Sequence, residues 1–405
     1  MSVIDSADLA TTAERWSLDD VTPEMIVERA RAVAPTLVPQ QADNEQRTYY
    51  SQETHELFKR AGFYRILTPR RYGGFEFGVD TFLQVVMELT AGCSSTGWQY
   101  SLGHSHTLTV ATLFDEAVQD EVFADPDFIC ACTGRPQGVA TRKSDGDWQL
   151  SGVYNYCSGA PYSGYFVGHA LPAEGPKSPS IFIAPRSEWT MLNDWGAQLG
   201  CKGTGSHSLR FQDATIPARY VLSNTSIMHQ DASKGTVGSR LHGNPMYGGT
   251  QQSFFLINLA ALATGMAKNA MAAFEELMGK TTAFPPIVPR TEDPSYQRWY
   301  GLSAGKVMTA ETLTVAAARK WQEVAEKGAT READMGVVLL GRETFDLCWA
   351  AVSEVFRVAG SSAVVDGSRM QRAWRDMSTL RSHTGVVYFT ELAVTELTKA
   401  HFGVS

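Results

Sequence analysis

Several small groups of residues in this chain have the types and spacing to do chemistry on a flat ligand. The stretch 147–163, DWQLSGVYNYCSGAPYS, opens with alternating side chains and a glycine at 152, a strand–turn–strand pattern. It closes on the small residues Cys157, Ser158, Gly159, Ala160 and Pro161. Such a turn lets backbone approach a planar ligand closely, and Ser158 puts a hydroxyl at the point of approach. Far along the chain, His383 offers an imidazole, which titrates near neutrality and can give or take a proton. Trp98 presents an aromatic face to a planar partner. His104 and His106 follow it; two apart on a helix they face different ways, so at most one reaches a site, and His104 is the expected substrate contact. Thr204 and Ser206 place two hydroxyls in a glycine-rich turn.

These groups must be positioned by very different elements. From Pro23 to Phe63 the spacing of Ile26, Ala30 and Val33, then of Leu57, Phe58 and Ala61, predicts two helical segments. Pro35 and Pro39 are expected to interrupt the first, and Gly62 to cap the second. Asp80 to Ala91 reads as an amphipathic helix. Ser94, Ser95 and Thr96 are expected to cap the next one, which carries Trp98 and both histidines. Asp115 to Phe123 reads as a short helix. From about Phe128 to Leu222 the chain turns to short strands (ICACTG, ATRKS, WQLSGVYNY, GYFVGHALP, SIFIAP, HSLRFQDATI) punctuated by Gly, Pro and Asp, as in a small β-barrel or sandwich. After a polar connection, 223–244, long apolar-striped helices are expected over Gln252–Met278, Pro294–Glu326, Glu332–Ala359 and Arg369–Phe402, an up-and-down bundle. The fold class is mostly α with a central β domain: helical to 125, β over 126–225, a four-helix bundle over 226–405, with a loose leader of about twenty residues in front.

Composition excludes several functions. The 405 residues suit two or three domains, and 43% hydrophobic with 19% charged residues suits a sizeable core. A formal charge of −8 argues against nucleic-acid binding. Without a run of eighteen apolar residues or a secretory signal, no membrane association is expected. Six scattered cysteines fit a reduced, cytoplasmic protein with no metal site. No GxGxxG opens a βαβ unit, so binding of NAD(P)H is not expected.

The order of elements and several motifs together resemble the acyl-CoA dehydrogenase fold, from about Gln46 to Gly403. LFKRAGF at 57–63 with PRRYGG at 69–74 is similar to the family's first helix and loop, and ELTA at 88–91 with STGW at 95–98 to the next pair. Trp195 with LGCKGTGS at 199–206 resembles the middle-domain segment, and Arg372-x-x-Arg375-Asp376 the last bundle helix. STGW, the Tyr156-Cys157-Ser158-Gly159 element and His383 after Arg375-Asp376 resemble one branch, the two-component flavin-dependent monooxygenases acting on hydroxyphenylacetate, secosteroid phenols, dibenzothiophene and indole. A dehydrogenase needs a carboxylate base for the proton alpha to a thioester. This chain has RSHT at 381–384 where that family places one glutamate, and apolar or small residues up to Gly265 where it places the other.

The resemblance implies an oxygenase component that takes reduced FAD or FMN from a separate NAD(P)H:flavin reductase. Through a C4a-hydroperoxyflavin it would hydroxylate an aromatic or polycyclic phenol- or indole-like substrate. Ser158 is implied beside the flavin and His383 as the proton-handling group and a substrate contact. Trp98, Thr133, Cys157, Gly159, Thr204, Ser206, Gly360, Ser361 and Arg375 are implied as cofactor contacts, and His104 and Trp98 as substrate contacts. The family's usual assembly implies a homotetramer. N-oxygenation of an amine or amino sugar, an acyl-CoA dehydrogenase-type activity, and a non-catalytic binding module are the alternatives.

Overall fold

The computed structural model describes residues 18–174 and 178–404; the expected leader lies almost wholly outside them. The first helices are α1 (Pro23–Leu37), α2 (Gln41–Arg47), α3 (Gln52–Ala61), α4 (Val79–Gly92), α5 (Ser94–Leu113) and α6 (Glu116–Val122). Thr22, Ser51 and Asp115 cap α1, α3 and α6 by accepting backbone N–H groups. Gly62 ends α3 in the left-handed conformation, as expected. Pro35 does not end α1. The helix runs through it to Leu37 and gives way to a 3-10 turn only at Val38–Gln40, around Pro39.

Helix α5 is the hub of this half. It is buried from Ser94 to Thr112 although many of its side chains are polar, so those groups need partners inside the protein. Ser101 donates to Asn258, Thr109 to Gln251, and Gln99 accepts from the Tyr50 amide. Its N-cap is Cys93 without a side-chain bond, not the expected hydroxyls; Ser95 instead accepts from Gly203 N–H, and Thr96 from Asn44. Docking the neighbouring loop here takes precedence over capping.

The strands run from β1 (Cys130–Cys132) through β2 (Gly138–Arg142), β3 (Trp148–Tyr154), β4 (Tyr165–Pro172), β5 (Ser180–Pro185), β6 (Thr190–Met191) and β7 (Leu209–Ile216) to β8 (Val221–Leu222). They form one curled sheet in the order β6-β7-β3-β2-β4-β5-β8, with β1 parallel to β4. Phe166, Phe182, Phe211 and Tyr154 interlock inside the curl.

A short helix α7 (Val237–His242) with a Thr236/Ser239 capping box leads into the bundle. Its members are α8 (Gln251–Lys280), α9 (Pro294–Lys327), α10 (Arg331–Ala359) and α11 (Arg369–Arg381) with α12 (Thr390–Phe402). By length and composition α8 would pass for a bilayer span, but 89% of its apolar window is buried inside the molecule, the signature of a core helix. The expected single helix over 369–402 is broken. α11 stops at Arg381, His383 sits in the break, and a π turn over Gly385–Phe389 restarts the chain as α12. Position 385 suits glycine: a Cβ there would lie 2.8 Å from Leu259 and 3.1 Å from the His383 ring.

Candidate active site

The site lies where the sheet, α5 and α11 meet. Ser158 leaves β3 in a tight turn, and Gly159 must be glycine: its φ is +85°, and a Cβ would come within 3.0 Å of the Gly103 backbone on α5. This close approach seats Ser158 against Trp98. The indole Nε1–H donates to Ser158 Oγ at 3.0 Å. Ser158 and Ser206 hydroxyls are 2.7 Å apart, Ser206 and Thr204 another 2.7 Å, and Thr204 donates to the Cys201 carbonyl at 3.0 Å. The relay is buried. Thr204 spends its proton on the Cys201 carbonyl, so Ser206 donates to Thr204 and Ser158 to Ser206; the Ser158 proton reaches a ligand only by leaving Ser206, while Trp98 still holds its oxygen.

The loop that carries Thr204 and Ser206 is clamped to α11. Arg375 donates to the Leu199 carbonyl at 2.7 Å and to Glu45 at 2.9 Å; Asp376 accepts from Cys201 N–H at 2.6 Å; Thr379 accepts from Gly200 N–H at 2.9 Å. Gly200 lies so close to α11 that a Cβ would sit 2.3 Å from the Arg375 backbone. The expectation that Arg375 contacts the cofactor is therefore corrected. Its three guanidinium nitrogens go to Gln371, Leu199 and Glu45, and it positions the loop that holds the hydroxyls. Burial pushes the Asp376 carboxyl up to about 6.

At the far end of the same helix, His383 faces Trp98 edge-on with ring centres 5.8 Å apart, and Phe255 of α8 at 5.9 Å. Its Nδ1 accepts from Gly385 N–H at 2.9 Å, which leaves the proton on Nε2. Burial lowers its pKa to about 4, so the ring is neutral at pH 7. A neutral imidazole acts as a hydrogen-bond donor or a base, which narrows the two roles a histidine can have here.

The structure separates the other expected residues. His104 is in the aromatic core against Tyr64, Phe82 and Tyr100, with Nε2 taken by Leu67 N–H and Nδ1 by Thr107, and burial drops its pKa to about 3. It cannot serve as a substrate contact from there. His106 is the one of the pair that turns to the sheet: Nδ1 bonds the Cys130 carbonyl at 2.8 Å, and it shares a stripe with Trp98 and Leu102 at four-residue spacing. The sequence allowed at most one of the pair to reach the site and favoured His104; it is His106 that turns towards the sheet. Thr133 follows β1, and its hydroxyl accepts from Arg135 N–H, so its own proton is left to give. Cys157 is buried with its thiol on the Tyr154 carbonyl, so only its backbone is available to a ligand. Gly360 and Ser361 end α10, beside Arg290 and before α11 begins. The length of α11, roughly 20 Å, lies between them and His383, so they do not join this cluster.

The hydroxyl relay, the indole and the glycine-tight backbone fit a planar, hydrogen-bond-accepting cofactor of the flavin type. Bases of the dehydrogenase kind are absent from the cluster. Glu275 and Glu276, the first carboxylates of α8, lie some 30 Å along the helix from Phe255 and bond Tyr300 and Arg369.

Two family models match, the acyl-CoA dehydrogenase N-terminal domain over residues 22–122 and its C-terminal domain over 257–388. The chain belongs to the acyl-CoA dehydrogenase family. Within it, the homologues are oxygenase components of flavin-dependent monooxygenases. The chain is 26% identical over 386 residues to the oxygenase component of p-hydroxyphenylacetate 3-hydroxylase from Acinetobacter baumannii, covering 91% of this chain and 87% of that protein. It is 25% identical over 342 residues to the oxygenase component of an FADH2-dependent resorcinol hydroxylase from a Rhizobium species, covering 80% and 81%. The crystal structure of the HsaA monooxygenase from M. tuberculosis superposes with a TM-score of 0.85 at 22% identity, covering 95% of this chain and 98% of that one, which shows the fold.

Proposed function

We propose that this protein is the oxygenase component of a two-component monooxygenase that uses reduced flavin and O2 to hydroxylate an aromatic substrate, a phenol or an indole. The observation that carries the reading is the facing pair: the Trp98–Ser158–Ser206–Thr204 relay on the sheet and a neutral His383 on the bundle, without a carboxylate base between them. The relatives act on p-hydroxyphenylacetate and resorcinol, both phenols.

Bound reduced flavin would supply the two electrons that activate O2, of which one oxygen atom goes to the substrate and the other leaves as water. The chain supplies placement, dryness and proton control. To bond the flavin ring, Ser158 would trade its hydrogen bond to Ser206 for one to the ring, while Trp98 holds its oxygen in place. Thr204, Ser206, Thr133 and the backbone of Cys157 and Gly159 complete the cradle. His383 gives a hydrogen bond from Nε2, or takes the proton of a substrate hydroxyl after the ring turns over. Trp98 and Phe255 pack against the ring. A separate reductase supplies the reduced flavin. A homotetramer joined through the bundle fits the large apolar side chains exposed there, Phe284 at 83%, Met308 at 69% and Phe402 at 72%.

The test is anaerobic mixing of the purified chain with FADH2 or FMNH2, followed by O2 and a phenol, with product and H2O2 both quantified. Hydroxylated product at the expense of H2O2 supports the reading. A chain that instead keeps oxidised flavin and is bleached by an acyl-CoA is a dehydrogenase, and the reading fails.

A further inference from the structure

Asn258 is an amide sealed inside the bundle. It stands on α8, wholly inaccessible, three residues after Phe255, so the two side chains share one face of the helix. Leu259, on the same face, is the side chain that a Cβ on Gly385 would meet at 2.8 Å. That face therefore looks onto the helix break that holds His383. Side chains of an α-helix lean towards its N-terminus, which tips the Asn258 amide back towards the turn of Phe255, whose ring packs on His383. Helix α5 repeats the arrangement from the other side. Trp98 meets His383, and Ser101, three residues on, donates to Asn258 Oδ1 at 2.7 Å. Asn258 and Ser101 thus form a polar layer one helical turn from the aromatic cluster around His383.

The amide is only half satisfied. Its Oδ1 holds the Ser101 hydroxyl, but Nδ2, buried with two N–H donors, has no hydrogen-bond partner among the described residues. A bare buried donor is costly, and its neighbours along α8 from Leu256 to Ala263 are otherwise apolar, so a leucine here would fold at less expense. A donor is met only by an acceptor. Trp98 and Phe255 suit a flat aromatic ligand, and an oxygen on such a ring is the acceptor that fits beside them. The Nε2 of His383 already serves one hydroxyl, which leaves Asn258 for another.

Building on the function proposed above, we infer that Asn258 is a substrate contact: its Nδ2 donates to a second oxygen on the aromatic ring whose reacting hydroxyl is met by His383, so the site selects dihydroxybenzene-type substrates over simple phenols. The test compares resorcinol with phenol, which lacks the second oxygen, in steady-state hydroxylation by the full chain. Wild type is expected to show a KM for resorcinol about tenfold below that for phenol. Asn258→Leu, similar in volume but without the donor, is expected to bring the two KM values within about twofold of each other by raising that for resorcinol. Ser101→Ala cuts the tie between α5 and α8 but leaves Nδ2 in place, and is expected to keep the wild-type preference within about twofold. The ratio of the two KM values does not depend on how much of a variant folds, so lost stability cannot imitate this pattern. A preference that survives Asn258→Leu, or that Ser101→Ala abolishes equally, makes Asn258 a strut between helices and overturns the contact. A wild-type chain that does not prefer resorcinol, or that hydroxylates indole but neither phenol, overturns the contact and leaves the proposed activity standing. A wild-type chain that hydroxylates none of the three overturns both.

Discussion

On the sheet wall of the site, Ser158, Ser206 and Thr204 hold one another in a chain that begins at the Trp98 indole and ends at the Cys201 carbonyl, and the loop beneath them is clamped to α11 by Arg375, Asp376 and Thr379. On the bundle wall, His383 stands in a helix break, its ring held by one hydrogen bond from its own chain two residues on. The sheet wall is over-determined and the bundle wall is not. A group that must only present a hydroxyl benefits from rigidity, whereas a group that handles a proton needs a ring nitrogen left uncommitted.

This contrast has consequences that can be measured. The largest is expected at His383. His383→Ala should slow hydroxylation by about 10²-fold, the usual scale for one acid–base group, while the Kd for reduced flavin stays within about twofold. Turnover at the wild-type rate would put the proton chemistry elsewhere. Ser158→Ala should act differently, shifting several-fold more of the consumed O2 to H2O2 and leaving Trp98 without its acceptor. Coupling as tight as in wild type would make the two walls equivalent and end the distinction. Arg375→Ala should cost stability first, about 1–3 kcal/mol in denaturant unfolding, because the Leu199 carbonyl loses its donor while Glu45 keeps Arg372 as a partner. A variant that unfolds like wild type yet binds flavin poorly would restore Arg375 as a cofactor contact.

A further effect concerns pH. Burial holds His55, His106 and His383 at about 4 and His104 at about 3, all below the ordinary 6.5. In this window the unfolded chain binds protons that the folded chain refuses, so this contribution is intact above about 6.5 and is lost as pH falls towards 4. Asp376, raised to about 6, pulls the other way but is a single group. Calorimetry should therefore show Tm falling between pH 6.5 and 4, and less steeply in His104→Gln. A Tm that is flat across that range would mean that these rings are not buried neutral.

The helices and strands were largely legible from periodicity, because each depends on contacts made by near neighbours. Ser158 and His383 were legible as candidates through the resemblance to the flavin-dependent monooxygenase branch; by type and setting alone each is an ordinary turn serine or helix histidine. Their partners were not. Trp98 meets Ser158 across 60 positions and Arg375 meets Glu45 across 330, and no local pattern encodes such pairings. The break at His383 was hidden because 369–402 keeps a helical pattern throughout. Which of His104 and His106 turns to the sheet depended on Leu67 and Cys130, which arrive from other elements.

The six cysteines bear on how long such an enzyme lasts. All are buried and free, and burial pushes every one of their thiols up, including Cys157 next to Ser158 and Cys132 at the end of β1. On the function proposed above, peroxide from a failed turnover would form beside Ser158, the chain neighbour of Cys157. Oxidative attack runs through the thiolate, and these groups stay protonated, so the machinery is chemically fireproofed against its own by-product.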